Sequence, residues 1–346
     1  MPLIFRGQDV TAILGNPLTA ANSLYGILSV AEPTLLTGLA DHWNQHRDRT
    51  PTVDGTAYRP ALGAFSAISS FWGNTYSDQR LAGVLYGPPF AANTAAVTGA
   101  NTAAGFLRDF EAARDEAFYV FLQGQSVNEL AQVSFLSTYY HHDVSELFVQ
   151  RPHSRMRAIV SRRVIETAQV MLRILYGNMS MGWGTLYSTR TLATTLLLAQ
   201  MHNRLLAPYR SRVTERPVYN QSSVAFTLLT FSYVVAQSWV DARYEFDQGR
   251  WYYFWKLLGS LLGIDSRLIA DNHAEAGDLW RRFFQAGECR GGNGVPYATN
   301  LEEDRIDAGL VAGYHFAPEA NLLQWVPAFI VTQLRNAPRW YRYFRR

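Results

Sequence analysis

His202 stands in the run Leu196-Leu-Leu-Ala-Gln-Met-His202-Asn-Arg-Leu-Leu206. On a helix, Leu198 and Ala199 lie one turn before it and Leu205 and Leu206 one turn after, on the same face. An imidazole among leucines is poorly solvated and keeps lone-pair density to donate, which is the setting of an axial metal ligand. A core histidine bonded to a backbone carbonyl has the same pattern. A second constellation is Arg163, Glu166 and Thr167, three and four residues apart on a helix that continues through Val170, Met171, Ile174 and Leu175. A cation there can hold an anionic group, a carboxylate can move protons, and a hydroxyl can hydrogen-bond a ligand. The plainer reading is an Arg–Glu pair on a solvated surface, worth a few tenths of a kcal/mol.

Other stretches carry less. His141-His142-Asp143 has the residue types of a metal site, but adjacent histidines point to different helix faces, and no His-x-x-His or Glu-x-x-His companion is near. His42, His46, His153, His273 and His315 stand alone in polar contexts and are expected at the surface. Arg290-Gly-Gly-Asn-Gly294 follows no strand and precedes no Gly-Lys-Ser/Thr, which argues against a nucleotide site. No Gly-x-Ser-x-Gly elbow supports a hydrolase. Asn220 or Ser222 is placed to cap the helix that runs through Phe226, Leu228, Leu229 and Phe231.

The elements that must position these groups are helical. Apolar residues recur at three- and four-residue spacing over Phe106–Gln123, Val127–Tyr140, Val160–Tyr176, Thr185–Leu206, Ser223–Asp241, Asp247–Leu262 and His273–Gln285. A first helix is predicted from Asn22 to His42, capped by Ser23 and kinked or restarted at Pro33, with the acidic Glu32 just before it. A short helix is expected over Ala61–Phe71, and a last one over Asn321–Leu334. Arg47–Tyr58, the small-residue stretch Ala91–Gly105 with its echoed Ala-Asn-Thr-Ala-Ala, and Gly287–Asp304 read as loops. Few segments alternate with period two, so the class is all-α, one large helical domain over 1–346.

Composition narrows the partners. Hydrophobic residues make up 48% of the 346 and charged residues 17%, enough for a substantial core. Aromatics at 14% suit a wide apolar cavity. Cys289 is the single cysteine, so neither an internal disulfide nor a thiolate cluster can form within the chain. A net charge of +3 without a basic run argues against nucleic acid. Lys256 is the only lysine, so the positive charge is nearly all arginine. The N-terminus lacks a signal-peptide pattern, and Ser232, Gln237 and Asp241 interrupt the best spanning candidate, so a cytoplasmic location is expected. The Trp340–Arg346 tail, rich in arginine and aromatics, suits weak contact with a membrane surface.

In this order, five stretches resemble the haem-b oxygenase family of the latex-clearing rubber oxygenases and the mycophenolic acid side-chain-cleaving oxygenase. Ser29-Val-Ala-Glu-Pro33 with Asp41-His42 resembles its early segment, with Glu32 where a histidine is usual. Arg163-Val-Ile-Glu-Thr167 with Tyr176-Gly177 resembles its arginine–threonine helix, and Met201-His202 its haem-ligand helix. Pro217-Val-Tyr-Asn220-Gln221 with Thr227-Leu-Leu-Thr-Phe231-Ser232 resembles its asparagine–glutamine signature, and Trp255–Gly263 its Gly-Leu-Leu-Gly run. The likeness covers 22–284, with an insertion around 47–155.

The resemblance implies a helical fold with a globin-like core enclosing haem b. His202 would ligate the iron, with Leu198, Leu205 and Arg163 also against the cofactor. Arg163 and Thr167 would lie on the distal side. Rubber oxygenases carry an iron-capping lysine where this chain has Glu166, which points instead to acid–base work; Glu146 is the nearest candidate for a further distal glutamate. The implied reaction is oxidative C=C cleavage, or a related oxidation, of a hydrophobic isoprenoid or aromatic natural product by dioxygen. Alternatives are a dehydrogenation or cyclisation on the same haem, or a haem-free helical carrier.

Overall fold

The computed structural model describes residues 1–46, 77–122, 134, 137–144, 170–171, 174–175, 191–206, 208–211 and 214–289. A hairpin opens the chain: β1 (Ile4–Phe5) pairs antiparallel with β2 (Gln8–Asp9), Ile4 opposite Asp9 and Phe5 opposite Gln8. Arg6 and Gly7 turn it at φ 49° and 74°, the left-handed pair that a two-residue hairpin requires.

Local sequence explains where the helices start. Ser23 caps α1 (Leu24–Ala31) by accepting the Gly26 N–H at 3.0 Å. Glu32 then breaks the path and Pro33 opens α2 (Pro33–His46), where its missing N–H costs no hydrogen bond. The first helix is therefore restarted at Pro33. Ser77 caps α3 (Asp78–Leu85).

The loop expected over Ala91–Gly105 is instead α4 (Ala91–Thr98) and the start of α5 (Ala103–Leu122). Alanine propensity favours helix there. Thr94 and Thr98 spend their hydroxyls on the Leu85 and Thr94 carbonyls, at 2.5 and 2.9 Å. Gly99, at φ +76°, ends the first helix. The two echoed copies differ in role: the first lies inside α4, and Thr102 of the second caps α5 through Gly105 N–H at 3.1 Å.

The later described residues include α6 (Thr191–Leu206), α7 (Gln221–Asp241), α8 (Gln248–Leu261) and α9 (His273–Gln285). A π turn at Thr230–Val234 interrupts α7. Ser134 Oγ and Trp251 Nε1 take up the Thr230 and Ser232 carbonyls there, at 2.5 and 2.9 Å. By length and composition α7 could cross a membrane, but 61% of that window is buried inside the fold, as in a core helix. Asp247 and Asn272 cap α8 and α9 through the Arg250 and Glu275 N–H groups, both at 3.0 Å.

The core forms around α8, whose Trp251, Tyr252, Phe254, Trp255, Leu257, Leu258 and Leu261 are all buried. A helix this apolar must be surrounded. It packs along α5, where the Phe121 ring lies 5.5 Å from Trp251 and 6.0 Å from Trp255, and it touches α1, α6 and α7. Gly259 sets the approach of α7: a β-carbon there would fall 2.6 Å from Leu228 Cδ2. The fold is mostly α, and the hairpin is the only sheet among the described residues.

Two expectations of surface histidines fail. His42 is buried on the face of α2 that also buries Leu35, Leu39 and Trp43. His273 is half-buried, with Tyr252 Oη at 2.9 Å from Nδ1 and Gln237 Oε1 at 3.0 Å from Nε2. Polar sequence neighbours disguise both, because helical spacing turns each ring away from them. The expectations for Arg47–Tyr58, Ala61–Phe71, His153, His315, Asn321–Leu334 and the Trp340–Arg346 tail lie outside the described residues.

Candidate functional site

The helix that carries His202 is fixed near both ends. At its start the Asp78 carboxylate accepts the Thr191 N–H at 3.3 Å and the Leu192 N–H at 3.1 Å. A carboxylate from α3 thus caps α6, where its charge also meets the positive end of the helix dipole. Two turns are then buried through Leu192, Ala193, Leu196, Leu197 and Ala199. Further along, Gln200 Nε2 donates to Tyr25 Oη at 2.8 Å, and Asn203 also hydrogen-bonds that phenol. Burial pushes the Tyr25 pKa up in spite of both bonds.

Beyond Ala199 the helix emerges. Leu198, His202 and Leu206, spaced by four residues, are all half-buried and share one face. Against the imidazole lies the Tyr219 ring, centroids 5.2 Å apart and planes 33° apart. Tyr219 is buried, and its hydroxyl has no hydrogen-bond partner among the described residues. Burial pushes that phenol far above its ordinary pKa.

Tyr219 belongs to a strap held on both sides. Before it, the Val218 N–H donates to the Tyr209 carbonyl at 3.0 Å and Ser211 N–H to that of Arg216 at 2.9 Å. After it, Asn220 caps α7 in a reciprocal box with Ser223. Asn220 Nδ2 also donates to Asp143 Oδ2 at 2.7 Å and to the Pro217 carbonyl at 2.6 Å. Gln221 ties the strap to two loops: Nε2 donates to the Pro17 and Gly263 carbonyls at 3.1 and 2.9 Å, and Oε1 accepts the Asp265 N–H at 2.7 Å.

Under the strap lies a buried ionic network. Asp143 accepts from Thr214 Oγ1 at 2.5 Å and from Arg216 at 2.9 Å. Arg216 also reaches Glu288 at 2.7 Å. Ser222 Oγ donates to Glu288 at 2.6 Å and lies 2.8 Å from His141 Nε2. Burial would push the Glu288 carboxyl up, but the hydrogen bonds from His141 and Arg216 and the guanidinium charge hold it well below its ordinary value. Serine, histidine and acid meet here without the order of a nucleophilic triad. Serine and carboxylate share Nε2, while Nδ1 accepts the Asp143 N–H at 3.2 Å. A relay needs the acid on the opposite nitrogen from the serine. The cluster instead locks His141–Asp143, the strap and Glu288 together.

A family model described as ER-bound oxygenase mpaB/B'/Rubber oxygenase, catalytic domain, matches residues 144–345, more than half of the chain. The chain belongs to this oxygenase family. No curated protein and no solved structure matches it. The oxygenase domain takes in α6 to α9, the strap and His202, and stops short of the Ser29–His42 segment.

Within the oxygenase domain, His202 and Leu198 share a face as the sequence predicts; the Leu205 side chain lies outside the described set. So do Arg163, Glu166, Thr167 and Glu146. Asn220 makes the cap, and Ser222 joins the ionic network instead. Sequence reasoning missed Tyr219 as a neighbour of His202. Its one signal was an aromatic residue inside the asparagine–glutamine strap.

Proposed function

We propose that this chain is a haem b-dependent oxygenase that binds iron through His202 and acts on a hydrophobic isoprenoid or aromatic natural product. The expected outcome is oxidative cleavage of a C=C bond or a related oxidation. The observation that carries the reading is the Leu198–His202–Leu206 face, an imidazole between two half-buried leucines inside the oxygenase domain. A flat apolar macrocycle suits such a face, and His202 would supply the imidazole nitrogen that holds its iron.

Haem, when bound, supplies the activation of dioxygen. The chain's residues do the rest. Capping by Asp78 and the clamp of Gln200 and Asn203 on Tyr25 hold α6 so that His202 stays where the iron requires it. Leu198, Leu205 and Leu206 would cover the apolar cofactor and exclude water. Arg163 would pair with an anionic group of the cofactor, and Thr167 would hydrogen-bond the substrate. Glu166 and Glu146 would hold and move protons near the substrate.

The test is turnover. Hemin-loaded protein supplied with polyisoprenoid and aromatic terpenoid alkenes under isotopically labelled dioxygen is expected to consume oxygen and release products that carry the label. Haem-loaded protein that incorporates no label into any such substrate would contradict the reading.

A further inference from the structure

We propose that Tyr219 is a positioning residue for His202, its ring fixing the plane of the imidazole; this rests on the assignment of His202 as the iron ligand. The two ring centroids lie 5.2 Å apart with planes inclined by 33°, so the phenol ring packs in a tilted arrangement against the imidazole. Tyr219 is buried, and its neighbours on both sides are pinned, Val218 to Tyr209 and Asn220 to Asp143 and Ser223. A ring held this way cannot swing aside when the imidazole turns about its own bonds.

The Tyr219 hydroxyl makes no hydrogen bond among the described residues, so the ring rather than the phenol group is what packs here. Buried tyrosines ordinarily find a partner for that group. What the fold keeps at this place is the aromatic face. Ligand histidines are normally oriented by a partner outside the coordination shell, and an unoriented ring binds its metal more weakly. The ionic network under the strap gains a role from this: His141, Asp143, Arg216 and Glu288 hold Asn220, and Asn220 holds the residue beside it against His202.

The experiment titrates hemin into the full chain, following the Soret band and the electron paramagnetic resonance of the ferric complex. Circular dichroism confirms that each variant is folded. Tyr219→Leu removes the ring and is expected to weaken hemin binding about ten-fold and broaden the resonance, in line with the loss of an orienting partner. Tyr219→Phe keeps the ring and is expected to match the parent in both readouts. Should Tyr219→Leu fail to fold, Tyr219→Met fills the space with a pliable chain and carries the same expectation. His202→Ala is the control for the underlying assignment. If it loses hemin while Tyr219→Leu or Tyr219→Met binds as the parent does, with an unchanged resonance, the positioning role is overturned. If His202→Ala binds as the parent does, the ligand assignment falls, and the positioning role with it.

Discussion

The Tyr219 ring lies 5.2 Å from that of His202, while its buried hydroxyl goes without a hydrogen bond among the described residues. An unsatisfied buried hydroxyl costs about 1–3 kcal/mol relative to a matched apolar surface. Tyr219→Phe is therefore expected to stabilise the haem-free chain by about 1 kcal/mol, read as a higher midpoint in urea. A lower midpoint would mean that the hydroxyl has a partner in solution.

Asn220 joins a helix cap to a buried carboxylate. Asn220→Ala removes the cap, worth about 1 kcal/mol, and one of the donors to Asp143, worth about as much again. The expected loss is about 2 kcal/mol. Asn220→Asp keeps a capping oxygen but sets a second negative charge beside Asp143. It is expected to cost more than Asn220→Ala, and urea denaturation of the two variants decides the order.

Acid is expected to weaken the fold through Glu288. Its folded pKa lies below the ordinary value of 4.5, so it contributes stability above that value. The contribution is lost as the pH falls from near 4.5 toward the lower folded pKa, since the unfolded chain takes up the proton first. Glu288→Gln should destabilise the chain at neutral pH and flatten the fall in melting temperature on acidification. An equally steep fall in the variant would place the acid sensitivity elsewhere.

Gly259 tests the contact between α7 and α8. Gly259→Ala brings a β-carbon to 2.6 Å from Leu228 Cδ2. The expected cost is about 1–3 kcal/mol, typical of an overpacked core. Pairing it with Leu228→Ala should recover part of that loss in thermal melts, because the two sites are in contact.

Local signals were legible in the sequence. Ser23 and Asn220 were recognisable as caps, and α9 begins and ends at the residues the apolar spacing indicates. The misreadings share a cause. Ala91–Gly105 has the small polar composition of a loop, but its threonines turn their hydroxyls back onto backbone carbonyls and leave the alanines free to form helix. His42 has polar neighbours in sequence and apolar neighbours in space. Of the candidate site, His202 was legible because its leucines recur with the helical period. The contact with Tyr219 and the Asp143–Asn220 bond, between residues 77 apart, depend on how the chain returns on itself, which no local pattern encodes.

The central claim is that His202 holds haem iron. The most direct test is the ultraviolet–visible spectrum of the purified or hemin-reconstituted protein, oxidised and dithionite-reduced, with a pyridine haemochrome assay for haem b. A Soret band at near-stoichiometric haem b is expected, abolished in His202→Ala. A protein that stays colourless and takes up no hemin, or a His202→Ala variant with the parent's Soret band, would contradict it.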